Sequence, residues 1–550
     1  MSVMYSEHEG VNELLKKILF DVQGFTENQI HHIKHLNKIG ISLSAESNRE
    51  KLLETILVQA KNFTNSDGGT LYMMSDDKKH LKFNVVQTDS LDIRMGGTQN
   101  EISWPELPLY KQDGQENREM VAALCALTGE QINIDDVYES KDFNFEGTKQ
   151  FDKNTGFRSK SMLVIPMKNY QGDVVGVLQL LNRQDDNSEV IVFNKEDEES
   201  TLSLSSQAAM AITNLQLINE LEELLESFIK SIASAIDSKS PYTGGHVRKV
   251  AELSVLIATA LNETEDEKYR ELSYNEEELN EIRIAALMHD IGKITTPEYV
   301  VDKATKLETI TDRIEEVKFK FEILKRDLEI EHLKKEMLYL GANKTDEIIK
   351  LKEEHQIKIN QLDSDYAFIE VANKGSEFMS EDKIDRINKI AKYVYYINGE
   401  RHSILTEDEI YNLSIRAGTL NNEERVKIND HVVVSIKMLN ALPFPKKLSR
   451  VPEIAGGHHE KINGKGYPLG LKGDELSLES RILAIADVFE ALTAADRPYK
   501  PAKKLSEAMK IISFMVKDGE LDGDLVNFFY EKNLHMEYAK QELLESQIDV

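Results

Sequence analysis

The stretch NEIRIAALMHDIGK, Asn280–Lys293, decides how the second half of this 550-residue chain is read. Its apolar residues recur with a helical period and stop at an adjacent His289 and Asp290, followed by Ile291, Gly292 and Lys293. The same period returns in AELSVLIATAL (251–261), ERVKINDHVVVSIKML (424–439) and ESRILAIADVFEAL (479–492). From about 225 the strand signal disappears, so an all-helical domain is expected over 225–530, with 531–550 as a C-terminal tail.

An insertion interrupts this domain at 303–415. Within it Leu307, Ile310, Ile314, Val317, Phe321, Leu324 and Leu328 are spaced alternately by three and four, a heptad seam that fails beyond Leu328. A turn near Gly341-Ala342-Asn343 and a second charged helix complete an expected coiled-coil hairpin over 305–372. Its charge run reads as a solvated face, with a partner contact as the alternative.

The first half mixes periods. Residues 1–32 read as an N-terminal helix and 33–215 as a separate domain. The helical NREKLLETILVQAKNF (48–63) precedes two strand-like runs in GGTLYMMSDDKKHLKFNVV (68–86). A second pair, SKSMLVIPMKN (159–169) and DVVGVLQLLNR (173–183), flanks the hairpin-like Tyr170-Gln171-Gly172. A long helix with an acidic first turn then runs over 195–235 into the second half.

The formal net charge of −29 argues against a nucleic-acid polymer as partner, since that needs a basic footprint. Apolar runs such as VVGVLQLL fall well short of the roughly 18 residues of a membrane helix. The N-terminus lacks a basic start and an apolar h-region. Cys125 is the lone cysteine, which excludes an intrachain disulfide and a cysteine zinc cage. A cytoplasmic protein without membrane insertion is expected.

Chemistry concentrates in the helical half. An adjacent His289-Asp290 lets a neutral imidazole bind one metal while the carboxylate bridges to a second. His246, His431, His458, His459 and Asp487 bring the set to five histidines and two aspartates. Singly, each has an ordinary structural reading. Together they supply enough nitrogen and oxygen for two metals about 3.5–4 Å apart.

At these residues the chain resembles the HD-GYP group of HD-superfamily phosphohydrolases. HDIGK (289–293) and HHEKINGKGYP (458–468) carry the likeness, supported by PYTGGHVRKVAEL, KLSRVPEIAGGHHE and RILAIADVFEALTAADRPYK. The resemblance implies an enzyme that hydrolyses a cyclic dinucleotide, usually cyclic di-GMP, to pGpG or GMP by attack of a hydroxide bridging two divalent ions, iron or manganese. It implies His246, His289, Asp290, His431, His458, His459 and Asp487 as ligands, with Asp290 bridging. Lys293 would touch the scissile phosphate, Tyr467 would line the guanine side, and Arg497 and Lys500 would hold phosphate oxygens. Tyr467 could equally pack the turn, and Arg497 pair with an acid. Gly464 and Gly466 would let the loop turn and approach a ligand, and Pro468 would stiffen its exit. Glu460 either orients a ligand histidine or is solvated. Some members carry a glutamate four residues before the first histidine and hold a third metal; Tyr242 stands there, so two metals are expected. Lys249 replaces the usual arginine, and ALTAADRPYK is one residue longer than the common form. The alternatives are a catalytically silent dinucleotide receptor or scaffold, and an HD phosphohydrolase of another cyclic dinucleotide.

The first domain resembles a GAF domain, a small-ligand or dimerisation module. Asn182, Arg183, Phe193, Asp197 and Glu198 are similar to the signature of cyclic-nucleotide-binding GAF domains, with a structural Arg183–Asp197 pair as the alternative. The expected fold is therefore an α+β GAF-like domain, an antiparallel sheet with flanking helices, followed by an all-α HD domain with an inserted helical hairpin. A homodimer paired through the 195–235 helix is expected, with a small ligand or cyclic nucleotide as a candidate GAF ligand.

Overall fold

Asn48 and Asn65 bracket the first well-packed helix. The Asn48 side chain accepts the Lys51 N–H at 2.8 Å, and Asn65 ends Arg49–Thr64 in the left-handed region with φ 50°. The computed structural model describes residues 9–239, 245–495 and 502–550. The chain divides into two units, Met1–Leu224 and Leu225–Val550.

The first unit is an antiparallel sheet flanked by helices. Its main strands run in the order Ile93–Gly96, His80–Thr88, Ser66–Met74, Val174–Gln184, Met162–Lys168, Ile132–Ile134. The hairpin-like pairs of the sequence pack side by side, because Ser66–Met74 and Val174–Gln184 are central neighbours, Leu71 opposite Leu178. Gly176 permits that closeness: a Cβ there would come within 2.4 Å of the Tyr72 carbonyl oxygen. One face buries Leu71, Leu163 and Leu178 against Leu53 and Leu57 of helix Arg49–Thr64 and the start of helix Lys195–Lys239. The other buries Leu81, Val121, Cys125 and Val164.

The second unit is largely helical. Helices His246–Asn262, Glu276–Met288, Val451–Gly456 and Leu478–Thr493 share one core through Val250, Ile257, Ala285, Ile454, Ile482 and Phe489. Two of the helices on which the site depends start in capping boxes, Asn275 with Glu278 and Asn421 with Glu424, the Asn-x-x-Glu pattern. The segment 531–550, expected as a tail, packs inward instead. Leu534, Tyr538 and Ala539 join the core, and Gln547 donates to the Thr493 carbonyl at 2.8 Å.

The insertion holds helices Ile314–Gly341 and Thr345–Asn373, packed against each other over a core of its own that includes Val317, Phe321, Leu362 and Ile369. The expected seam starts too early. Leu307 and Ile310 precede the helix, and Ile310 is 96% exposed, because Asp312 redirects the chain through Thr305 and the Ile314 N–H. The all-helical expectation also fails at Val394–Ile397 and Glu400–Ser403, a two-stranded hairpin. Its turn, Asn398-Gly399, has φ of 53° and 87°, the backbone that Asn-Gly favours between antiparallel strands. Lys303 ties the insertion to helix Asn422–Ala441 with its ammonium 2.8 Å from both oxygens of the buried Glu424. No helix among the described residues is long and apolar enough to cross a membrane.

Candidate metal centre

The donors arrive from several helices. His289 caps Glu276–Met288, and Asp290 leads into the tight turn Ile291–Thr295. His246 starts His246–Asn262, His431 lies midway along Asn422–Ala441, His458 and His459 follow Val451–Gly456, and Asp487 sits within Leu478–Thr493. Gly292 allows the turn to dock. Its N–H donates to Ser435 Oγ at 2.9 Å, and a Cβ would lie 1.9 Å from the His431 carbonyl oxygen.

All seven side chains converge. Three groups could each hold a divalent ion: His246 with His289 and Asp487, His289 with Asp290 and His458, and His431 with His458 and His459. Within each, the donor atoms lie inside 4.8 Å of one another. Asp290 faces two ways, one oxygen 3.2 Å from His289 Nε2 and the other 3.2 Å from His431 Nε2.

The tautomers fit cations. Nδ1 of His289 and of His458 lies 2.6 Å from the carbonyl oxygens of Ala286 and Ala455, and Nδ1 of His431 bonds that of Ile428. A carbonyl only accepts, so each Nδ1 carries the proton and each Nε2 presents a lone pair. These three Nε2 atoms and Asp290 Oδ1 are buried with no hydrogen-bond partner. Imidazole and carboxylate lone pairs therefore face each other without a proton between them, an arrangement that burial penalises until a cation sits among them.

Electrostatics hold the paired histidines in the ligand form. Burial, aided by the neighbouring His459 and His289, pushes the His458 imidazole well below its ordinary range. Burial also brings His459 down to about 4, against the pull of Asp487. Both are thus held neutral, the ligand form. Burial would raise the Asp290 carboxyl, but Lys293 and His289 outweigh it and hold it well below the usual range. Burial opposes a charge on His246 too, yet Asp290, Asp487 and Glu490 around it raise it well above an ordinary imidazole.

Lys293 Nζ lies 2.5 Å from Asp290 Oδ2. Its backbone is pinned from behind, where Lys239 Nζ donates to the carbonyls of Lys293 and Ile294 at 2.8 and 2.5 Å. Tyr467 stacks on His459, ring centroids 4.9 Å apart and tilted by 29°, and its N–H donates to the His459 carbonyl. Gly464 adopts φ +75° as a turn requires, whereas Gly466 serves internal packing: a Cβ would meet the Glu460 Cα at 2.4 Å. The Tyr467–Pro468 bond is cis. Glu460 follows neither expectation. It is buried, and its carboxylate accepts the N–H groups of Leu469, Gly470 and Leu471 at 2.7, 3.1 and 3.0 Å, closing the loop. Tyr242, Arg497 and Lys500 lie outside the described residues.

Sequence reasoning missed Glu490, whose carboxylate bonds His246 Nδ1 and orients that ring. The signal was present: a second acid three residues beyond Asp487 on the same apolar helix. Ser435 carried none, because its role depends on a neighbour 143 positions away.

The motif in the first unit ends differently. Arg183 Nε lies 2.6 Å from Asp197 Oδ2, and Asn182 accepts the Lys160 N–H and donates to the Arg158 carbonyl. Phe193 is buried in the core, and Glu198 accepts from Asn133 and Gln131.

Comparison with known proteins adds to this geometry. Residues 48–212 match the GAF domain family, and residues 243–394 and 403–525 each match an HD domain family, on either side of the short hairpin. The chain is similar to the 3'3'-cGAMP-specific phosphodiesterase 1 of Vibrio cholerae serotype O1, 38% identical over 154 residues, 28% of this chain and 34% of that protein. It is also similar to a cyclic di-GMP phosphodiesterase of Thermotoga maritima, 38% identical over 98 residues, 18% of this chain and 26% of that protein. The matched part thus spans about a third or less of these relatives' own lengths. Among solved structures, the GAF domain of an Acinetobacter phosphoenolpyruvate-protein phosphotransferase is 15% identical with a TM-score of 0.26, covering 34% of this chain and 98% of that one.

Proposed function

We propose, from the premise that this chain joins a GAF domain to an HD-superfamily domain related to cyclic-dinucleotide phosphodiesterases, that it is an HD-GYP-type phosphodiesterase. Its substrate would be a guanine-containing cyclic dinucleotide, cyclic di-GMP or 3'3'-cGAMP, the compounds named for its relatives. One observation carries the reading: three buried imidazoles, their Nδ1 protons tied to carbonyls, turn unpartnered lone pairs toward the Asp290 carboxylate.

In this reading His246, His289, Asp290 and Asp487 hold one divalent ion, and Asp290 with His431, His458 and His459 holds a second. Such ions, iron or manganese, supply Lewis acidity toward water and a phosphoryl oxygen. The residues do the rest. Lys293, aimed at the same point as Asp290, neutralises charge on the phosphate. Tyr467, stacked on His459, offers a flat wall to a nucleobase. Glu490 keeps His246 oriented.

The GAF domain is the regulatory module of this reading. Helix Lys195–Lys239 exposes Leu217, Leu221, Leu224 and Phe228 at spacings of four, three and four, the pattern of a helix that pairs with a second copy. The direct test incubates anaerobically purified protein with iron or manganese and a panel of cyclic dinucleotides. Linear product from cyclic di-GMP or 3'3'-cGAMP is expected; metal-loaded protein that turns over no member of the panel defeats the reading.

A further inference from the structure

A cavity of about 670 Å³ has no role in the mechanism above, and Lys239 on its wall also lines the small cleft that holds His246, Asp290 and Lys293. It begins at Lys239 and Ile294, the latter adjacent to Lys293, and its far wall is Glu308, Thr309 and Ile310 from the first loop of the insertion. Two isoleucines line it although packing does not need them: Ile294 is 48% exposed and Ile310 96%.

The loop that presents Ile310 is firmly held. Glu308 accepts the N–H groups of Ala304 and Thr305 at 2.6 and 3.1 Å, Thr305 donates to Asp312 at 2.8 Å, and Leu307 is buried with its N–H on the Asn373 side chain. On this braced loop Ile310, lining the same cavity as Ile294, offers an apolar surface that a flat ring can cover. The charges indicate which partner. Glu298, Asp302 and Glu308 line the cavity, Glu308 also holding its own loop, and the two ammonium groups there are engaged, Lys303 with Glu424 and Lys239 with the carbonyls of Lys293 and Ile294. Such a lining disfavours phosphate and favours a flat ring that bears N–H donors.

We infer that this cavity seats one purine base of the cyclic dinucleotide against Ile294 and Ile310, so that the insertion acts as a substrate-specificity element. This rests on the phosphodiesterase reading and deepens it. With phosphate held at Lys293 and Asp290, one base reaches Tyr467 and the other this cavity. Carboxylates accept hydrogen bonds from the amino and imino groups of guanine or the amino group of adenine.

The test compares the wild type with Ile310→Asp and Ile310→Leu on cyclic di-GMP, 3'3'-cGAMP and bis(4-nitrophenyl) phosphate, a diester with no base to seat. Ile310 is exposed enough for both variants to fold. For Ile310→Asp, kcat/KM on the dinucleotide relative to the base-free diester is expected to fall about tenfold, mainly through KM, with Ile310→Leu restoring it. An unchanged ratio while the wild type cleaves a dinucleotide overturns the base site and leaves the phosphodiesterase reading intact. A metal-loaded wild type that cleaves no cyclic dinucleotide overturns both.

Discussion

The histidine cluster of the second unit and the Asn182–Glu198 motif of the first are both polar sets marked by their spacing, and they end in opposite states. In the cluster, buried imidazole Nε2 atoms and a carboxylate oxygen face one another with no hydrogen bond. In the motif, Asn182 and Glu198 are hydrogen-bonded inside the domain, and Arg183 and Asp197 hold each other as an ion pair. A buried polar set that satisfies itself holds a fold together. One that leaves acceptors facing acceptors is destabilised by burial until something else binds, which is the signature of a site.

The contrast can be broken in several places. The largest effect is expected at Asp290, the carboxylate shared by both sides of the cluster. Asp290→Ala should cut hydrolysis by on the order of a thousandfold and lower bound metal measured by atomic emission, with the helical circular dichroism retained. Metal content and turnover like the wild type would erase the distinction. Gly292→Ala tests the packing that brings Asp290 to His431, since the new Cβ would sit 1.9 Å from a carbonyl oxygen. A loss of about 3 kcal/mol in urea unfolding of the second unit is expected, and a neutral outcome would mean the turn docks otherwise.

Removal of divalent ions with a chelator separates the units directly. The calorimetric transition of the second unit should fall by the equivalent of about 3 kcal/mol, as for loss of a ligand present at a hundred times its Kd, while that of the first stays in place. Equal shifts in both would show that neither region is special. Glu460→Ala removes the acceptor of three backbone N–H groups in the Tyr467 loop. It should cost about 2 kcal/mol and open the chain near Leu469 to limited proteolysis. The smallest effect belongs to the self-satisfied motif. A double-mutant cycle on Arg183→Met and Asp197→Asn should give a coupling of about 1 kcal/mol in stability. Zero coupling would mean that the pair does not hold the fold and would reopen it as a ligand site.

Much of the molecule was legible from local pattern. Asn48, Asn275 and Asn421 announce helix starts through interactions spanning three residues, and helical period marks the buried faces of Glu276–Met288 and Leu478–Thr493. The errors arose where a local signal was weak or its partner distant. The hairpin 394–403 has strands of four residues, too short for alternation to stand out in helical surroundings, although Asn398-Gly399 names its turn. The seam at Leu307 and Ile310 continues a heptad on paper, but Asp312 and Asn373 bend the chain before the helix begins. Glu460 read as either a companion for a histidine or a solvated acid, and the N–H groups that claim it become available only once the loop has closed.

By itself, the sequence determined the chemistry available: five imidazoles and two carboxylates of the ligating kind, a lysine three residues beyond an aspartate, and a glycine-rich turn after paired histidines. Tertiary structure alone decided that these donors meet, which nitrogen of each ring is free, that Glu490 turns His246, and that an insertion supplies one wall of the neighbouring cavity. Period, capping and turn preference act over a few residues and are written locally. Convergence of His289 with His458, and of Gly292 with Ser435, depends on core packing between segments more than a hundred positions apart, where shape rather than local propensity sets the distance.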